Sequence, residues 1–326
     1  MNSANIKLKC LLISADEVIS GDMELYEKWR QTPDSIFWLD IEGSSPSAIS
    51  ALLTEKFDLE SADIHDAARD RHPPRFSGRR DSLFLLLKSL DSDSRTLDFS
   101  TQQLAIFSGD NYLVTRHNRK SAYIESLHAR LLQSKLKVSS PHQLVVLLGQ
   151  RTVKRYGEIL LNLEERLDIL EDELLENPDE SLMQELLGYN TALRKMRRIL
   201  NYHLDVLSHL SRHVRKQQLI GEDDQFEDIA VEAERFNSLA DLYQNVINDL
   251  IEGYISLNSH KLNQVMRILT VVTVLFLPLS LLVGIYGMNF EYIPELKSEN
   301  GYFILLSVMG LIVSVLVLVF RRKKWL

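Results

Sequence analysis

The chain has 326 residues, 45% hydrophobic and 25% charged, with a formal net charge of −8 at pH 7. That balance suits a globular protein with an apolar appendage; it argues against nucleic acid as a partner, since phosphate binding needs a basic face, and fits a protein that meets cations. Its one cysteine, Cys10, excludes an internal disulfide and fits a reducing compartment.

The N-terminus is polar, and Cys10-Leu11-Leu12-Ile13 is too short an apolar run for a secretory signal, so none is expected. Strand patterns occur at Lys7–Ile13, Ile36–Ile41, Ser82–Leu90, Gln102–Phe107 and Tyr112–Arg116. The last two are joined by Ser108-Gly109-Asp110-Asn111, which reads as a hairpin connector. Helices are predicted at Pro46–Lys56, with Ser45 as N-cap, and at Glu60–Arg69. Together these make a small α/β layer. From about Pro141 the pattern changes to long helices, Gln143–Glu176 and Glu180–Leu219, broken at Asn177-Pro178-Asp179. The first ends in Glu164, Glu165, Asp168, Glu171, Asp172, Glu173 and Glu176, and the second is basic around Arg194, Lys195, Arg197 and Arg198. An acidic arm folded antiparallel onto a basic one is the expectation. Asp205, His209 and His213 recur every four residues on one face of the second helix, a spacing able to hold zinc. Against that, such histidines are commonly ordinary surface residues, and no fourth ligand is evident.

A third helix is predicted after Gly221-Glu222-Asp223-Asp224. Ile229, Ala233, Phe236, Ala240, Tyr243, Ile247, Leu250, Tyr254 and Leu257 alternate steps of four and three, an a/d seam. A second stripe, Leu239, Leu242, Val246, Ile251 and Ile255, broadens the apolar face. The expectation is a continuous stalk bundled with more than one other copy; the alternative is a stalk packed within its own subunit.

The stalk leads into two charge-free apolar runs of about 19 residues, Ile268–Tyr286 and Tyr302–Phe320. As helices each is roughly 28 Å long, enough to cross a bilayer. Arg321, Arg322, Lys323 and Lys324 follow the second run and Lys261 and Arg267 precede the first, whereas the connecting loop holds only Lys297. The positive-inside rule then puts both termini in the cytoplasm and the loop outside, with Trp325 as an interfacial anchor. On the first span, Asn263, Met266, Thr270, Thr273, Leu277, Ser280 and Gly284 share one helical face. Hydroxyls there can meet water or hydrated ions, and Met266 and Leu277 would form narrow apolar rings able to gate by dewetting. The plain alternative is that the hydroxyls bond the preceding turn and Pro278 only kinks the helix. At the span's end Gly287 lets the backbone turn, and Asn289 adds an amide oxygen, so a symmetric ring of Gly287-Met288-Asn289 would be a neutral, oxygen-lined mouth. Because Mg²⁺ gives up water reluctantly, such a mouth suits the hydrated ion. Glu291, Glu295 and Glu299 outnumber Lys297 and should concentrate cations there.

Tyr286-Gly287-Met288-Asn289-Phe290-Glu291-Tyr292-Ile293-Pro294-Glu295-Leu296, Gly301-Tyr302 before the second span and Lys323-Lys324-Trp325-Leu326 after it closely resemble the CorA family of divalent-cation transporters, within the two-transmembrane GxN superfamily. Asn263-Gln264-Val265-Met266-Arg267-Ile268-Leu269-Thr270 is similar to that family's approach to the membrane, so the specific match covers about 263–326. Ile293 departs from the family's usual methionine.

The resemblance implies a funnel-shaped homopentamer: an α+β cytoplasmic domain, a long helical stalk and two C-terminal transmembrane helices, the first lining a central pore. It implies a selectivity filter at Gly287, Met288 and Asn289, and pore positions at Ser280 (usually threonine), Leu277 (usually methionine), Thr273, Leu269, Met266 and Asn263. Whether Leu269 or Thr270 faces the lumen stays open. The family also has acidic cytoplasmic sites between subunits where bound Mg²⁺ closes the pore; Glu227 and Asp228 are the candidates here, with Asp223 and Asp224 behind them. The alternative for these carboxylates is to complement the helix dipole.

The expected organisation is therefore an N-terminal cytoplasmic α/β domain over residues 1–140, long cytoplasmic helices over 141–262, and a membrane domain over 263–326. Within the last, the spans lie at about 268–286 and 302–320, with the loop at 287–300 between them. The expected function is passive influx of Mg²⁺, and of Co²⁺ or Ni²⁺, across the inner membrane. Its partners are further copies of the chain, lipid and metal ions, without a prosthetic group. One alternative is Zn²⁺ transport of the family's ZntB-type branch, perhaps proton-coupled; that branch often varies the filter methionine, so Met288 favours magnesium. Another is a membrane-anchored sensor. An enzyme is not expected: His65, Asp66 and His72 lack a nucleophile or matched ligands, and the sequence has no P-loop.

Overall fold

Among the described residues there are seven strands, five of them apolar runs rich in Leu, Ile, Val and Phe and bounded by turn residues. These are β1 (Lys7–Ile13), β2 (Val18–Gly21), β3 (Ile36–Glu42), β4 (Arg75–Gly78), β5 (Ser82–Leu90), β6 (Thr101–Gly109) and β7 (Tyr112–His117). They make one mixed sheet in the order β2-β1-β3-β7-β6-β5-β4. The β6–β7 hairpin is antiparallel, with Phe107 opposite Val114, and β3 runs parallel to β7, with Phe37 opposite Tyr112. The helices are α1 (Glu24–Arg30), α2 (Pro46–Phe57), α3 (Ser61–Ala68), α4 (Ala122–Leu132), α5 (Pro141–Glu176), α6 (Glu180–Gln217), α7 (Asp223–Tyr286) and α8 (Gly301–Arg322). This computed structural model describes residues 6–43, 46–69, 72–176, 178–217, 223–289 and 298–325. It divides into two units, Met1–Ile251 and Glu252–Leu326.

In the first unit every residue from Ile36 to Ile41 is buried, because helices cover both sheet faces. One face packs Cys10, Leu12, Phe37, Leu39, Phe84 and Phe107 against Trp29 of α1, Leu53 and Phe57 of α2 and Ile64 of α3. Trp29 stacks on Phe37 with ring centroids 5.4 Å apart. The opposite face meets α4, α5 and α6, with the His128 ring edge-on to Trp38 at 4.2 Å. Strand β4 pairs β5 only over Leu83–Leu86. Beyond it, at Lys88, helices supply the missing partners: Tyr156 Oη of α5 donates to the Lys88 carbonyl at 2.8 Å, and His203 Nε2 of α6 accepts the Lys88 N–H at 3.0 Å. A buried edge is thereby hydrogen-bonded without another strand.

Strands β2 and β4 and helices α1 and α4 were not foreseen. The two strands are four-residue edge pieces and α1 has seven residues, each too short for a periodic signal. Ser45 lies outside the described residues, as do Asn177 and residues 218–222. Asp179 caps α6, its Oδ1 accepting the Leu182 N–H at 2.9 Å.

One expectation about the long helices is corrected. Arg197 pairs with Asp241 of α7 at 2.6 Å, and Lys195 Nζ donates to the Phe99 carbonyl at 2.7 Å, so the basic stretch of α6 serves α7 and the sheet domain. Across α5 and α6 the polarity is reversed: Arg166 of α5 holds Glu185 of α6 through bonds of 2.9 and 2.7 Å. In an antiparallel pair, residues at similar distances from the turn meet, and the basic residues are too far from it to reach the acidic end of α5. The seam of α7 is buried in its own chain from Ile229 to Leu250, while its last members, Tyr254 and Leu257, are only partly covered. A Cβ on Gly149 would touch Ile229 at 3.4 Å, and one on Gly157 would strike the Phe236 ring, so α5 and α7 pack closely. Heptad periodicity reports that a helix has a partner, not whose it is.

In the second unit, α7 continues to Tyr286 through Pro278, and α8 follows. Trp325 stacks on Phe320 at 5.9 Å, next to the basic residues Arg321 and Arg322.

Candidate functional site

Only 6% of the most apolar window of α7, and 6% of that of α8, is buried within the chain. Helices this apolar and this bare require lipid or other copies around them. Asn263, Met266, Leu269, Thr273, Leu277, Ser280 and Gly284 are exposed on α7, and Thr270 is partly so. A Cβ on Gly284 would meet nothing within 4 Å, so nothing in the chain itself requires a glycine there. Pro278 has no N–H, which leaves the Val274 carbonyl without its helical donor.

Thr270 Oγ1 donates to the Met266 carbonyl at 2.7 Å and Thr273 Oγ1 to the Leu269 carbonyl at 2.8 Å. The back-bonding alternative therefore holds in geometry, yet it does not remove the hydroxyls from use. Each has committed its one proton and keeps its lone pairs, so it is an acceptor. The water shell of a cation points hydrogens outward, and acceptors are what that shell can bond. At the helix end Gly287 N–H donates to the Val283 carbonyl at 2.8 Å, and a Cβ on Gly287 would lie 3.0 Å from that oxygen. Glycine lets the chain pass close to its own last turn. Met288 and Asn289 follow, both exposed, as is Glu299; Glu291 and Glu295 lie outside the described residues.

The cytoplasmic candidates lie at the start of α7. Glu227 is ion-paired to Arg215 of α6, Asp224 and Asp228 are exposed on the first turns of α7, and the Asp223 side chain lies outside what is described. Among the described residues, no group of three or more His, Cys, Asp or Glu side chains is placed to hold a metal. The Asp205, His209, His213 reading fails on this geometry. His213 Nε2 donates to the Arg79 carbonyl at 3.0 Å with its ring against Phe76, while His209 Nδ1 donates to the Asp205 carbonyl at 2.8 Å. The sheet domain, which the helix's own sequence cannot reveal, takes His213 away.

Two polar clusters stand apart from these candidates, the first joining Asp66 and His72, singled out above, with Asp63 and Arg75. Asp63 and Asp66 of α3 both meet Arg75, and His72 lies 3.4 Å from Asp66. Burial is the main cause raising the Asp63 carboxyl, with Arg75 opposing it. Across the sheet centre, His117 Nε2 lies 3.1 Å from Asp40, and its Nδ1 lies 2.6 Å from the Arg119 carbonyl. The first cluster is local, within residues 63–75, whereas Asp40 and His117 are brought together only by the pairing of β3 with β7. Cys10 is no reactive thiol: burial, with Asp22 and Asp40, pushes it up to about 12.

An α+β unit followed by two bare apolar helices, each long enough to cross a bilayer, has the make-up of a membrane-embedded protein. Residues 33–322 match the family described as CorA-like Mg²⁺ transporter protein, and the chain belongs to it. It is thus a divalent-cation transporter and not an enzyme. The cobalt/magnesium transport protein CorA of Thermotoga maritima is 26% identical over 293 residues, 89% of this chain and 83% of that protein. The protein of the same name from Methanocaldococcus jannaschii is 28% identical over 294 residues, 89% of this chain and 92% of that one. The complete structure of the CorA magnesium transporter from Methanocaldococcus jannaschii superimposes with a TM-score of 0.81 at 25% identity, covering 98% of each chain.

Proposed function

We propose that five copies of this chain surround a central pore lined by the membrane part of α7, through which hydrated Mg²⁺, and Co²⁺ or Ni²⁺, enters the cytoplasm. The observation that carries this reading is the acceptor-only hydroxyl of Thr273, exposed on the helix that ends at Gly287-Met288-Asn289. The relatives' names as cobalt/magnesium transport proteins support the choice of ion. In this reading residues 263–326 form the membrane domain, residues 1–262 and both termini are cytoplasmic, and the membrane is the cell's inner one. Gly287, Met288 and Asn289 are the filter. Asn263, Met266, Leu269, Thr273, Leu277, Ser280 and Gly284 line the path, and Glu291, Glu295 and Glu299 attract cations to its mouth. Asp228, Glu227, Asp224 and Asp223 supply regulatory Mg²⁺ contacts between subunits. A dication driven inward gains roughly 4.6 kcal/mol per 100 mV, so no pump chemistry is needed.

Flux into proteoliposomes tests the reading, with Mg²⁺, Co²⁺, Ni²⁺ and Zn²⁺ each offered with and without a pH gradient. Mg²⁺ uptake independent of the gradient is expected, with block by cobalt hexaammine, whose ligands do not exchange. Zinc uptake without magnesium uptake overturns it. Asn289→Ala should abolish selective flux, whereas a membrane-anchored sensor would tolerate that change.

A further inference from the structure

A cleft of about 790 Å³ opens in the first unit, far in sequence from the proposed pore. It is walled by the β5–β6 loop, one side of α4 from Ala122 to Arg130, and the middle of α5. Its volume is that of a small-molecule site. Arg95, Arg130, Arg151 and Arg155 all line it, against one carboxylate, Glu158. A surplus of three positive charges thus gathers in one concavity of a chain whose formal net charge is −8. Like charges do not cluster in a folded protein without cost, and guanidinium groups cannot relieve that cost by losing a proton.

Two of these arginines are fixed in place. Arg155 donates to the carbonyls of Ser94 at 2.7 Å and Ser92 at 3.4 Å, which ties it to the β5–β6 loop. Arg151 lies over the Tyr123 ring, 5.9 Å from its centroid, and donates to Glu158 at 2.6 Å. The other two, Arg95 and Arg130, are exposed and make no ion pair among the described residues. Burial, followed by the charge of Arg151, holds Arg155 below the usual arginine value, with Arg95 adding to the effect. A preorganised pair at the wall and a free pair at the rim form a receptor for an anion that offers several oxygens. A single phosphate would leave positive charge uncompensated, whereas a chain of two or three phosphates matches the surplus and the forked geometry of arginine.

We propose that this cleft binds a polyphosphate-bearing small molecule, the di- or triphosphate chain of a nucleotide or its inorganic equivalent. The proposal is independent of the pore reading, because its test reads binding and not flux.

The experiment uses the full-length protein in detergent, at low salt with EDTA, so that a polyphosphate cannot act by stripping bound metal. ATP, ADP, inorganic triphosphate and adenosine are titrated by calorimetry, and thermal stability is followed in parallel. ATP should bind and raise the melting temperature, ADP should bind more weakly, and adenosine should not bind. Triphosphate equal to ATP would assign recognition to the phosphates alone; ATP much tighter than triphosphate would add the nucleoside. Arg95→Glu combined with Arg130→Glu should weaken ATP by roughly tenfold or more, the loss expected for charged hydrogen bonds. Glu158→Gln should tighten it, a gain that misfolding cannot imitate. Lys216→Glu, on α6, controls for non-specific attraction. Absence of binding by ATP and by triphosphate overturns the proposal. So does affinity that survives the double arginine variant, or that falls equally with Lys216→Glu.

Discussion

His117, His128 and His203 are all buried, and their surroundings push them in opposite directions. Burial lowers His117, but the hydrogen bond and charge of Asp40, with the Arg119 carbonyl, outweigh it and hold it above the ordinary 6.5. Burial is the main cause bringing His128 down to about 4 and His203 to about 3. The raised group contributes stability that is complete below its unfolded value and is lost as pH rises through its folded one. The two lowered groups act the other way, because below about 6.5 the unfolded chain takes up protons that the folded chain refuses. Stability should therefore peak near neutral pH and fall on both sides. In denaturant melts between about pH 5 and 8.5, His117→Gln should flatten the alkaline limb, and His128→Phe or His203→Gln the acid limb. An unchanged alkaline slope in His117→Gln would remove the Asp40–His117 pair as its source.

At the scale of elements, the contact between α5 and α7 rests on a glycine. Gly157 lies under the Phe236 ring, and an added methyl group has no room there. Gly157→Ala should destabilise the protein by about 1–3 kcal/mol, the usual cost of overpacking, and Phe236→Leu should recover part of that loss in the double variant. Additive effects in a double-mutant cycle measured by denaturation would show that the two residues do not share the contact. The same pairing explains what was legible in α7 and what was not. Its 4–3 alternation marks a face that is buried from Ile229 to Leu250, without naming the partner. The small residues Gly149 and Gly157 on α5 are the complementary signal, readable only once the two helices are laid together. Strands β1, β3, β5, β6 and β7 were readable because long apolar runs bounded by turns leave few other outcomes. Strands β2 and β4 exist because neighbouring strands offer them a ladder.

For the whole molecule, the bare apolar faces of α7 and α8 and the exposed carboxylates at the start of α7 both point outward from a single chain. If copies meet around α7, Mg²⁺ bound between them should make the assembly more compact. Protease digestion of the wild-type assembly should slow in Mg²⁺, and Glu227→Ala combined with Asp228→Ala should lose that protection. Native mass measurement should give five chains per particle; a monomer in the membrane would remove the pore. The two apolar runs and the family are legible in the sequence alone, because bilayer thickness and a contiguous motif are requirements that consecutive residues must meet. Packing alone reveals that the stalk's seam is filled from its own chain as far as Leu250, that His213 belongs to the sheet domain, and that four arginines share one cleft. Those outcomes depend on segments far apart in the chain packing together, and no local pattern of residues records which segment will arrive.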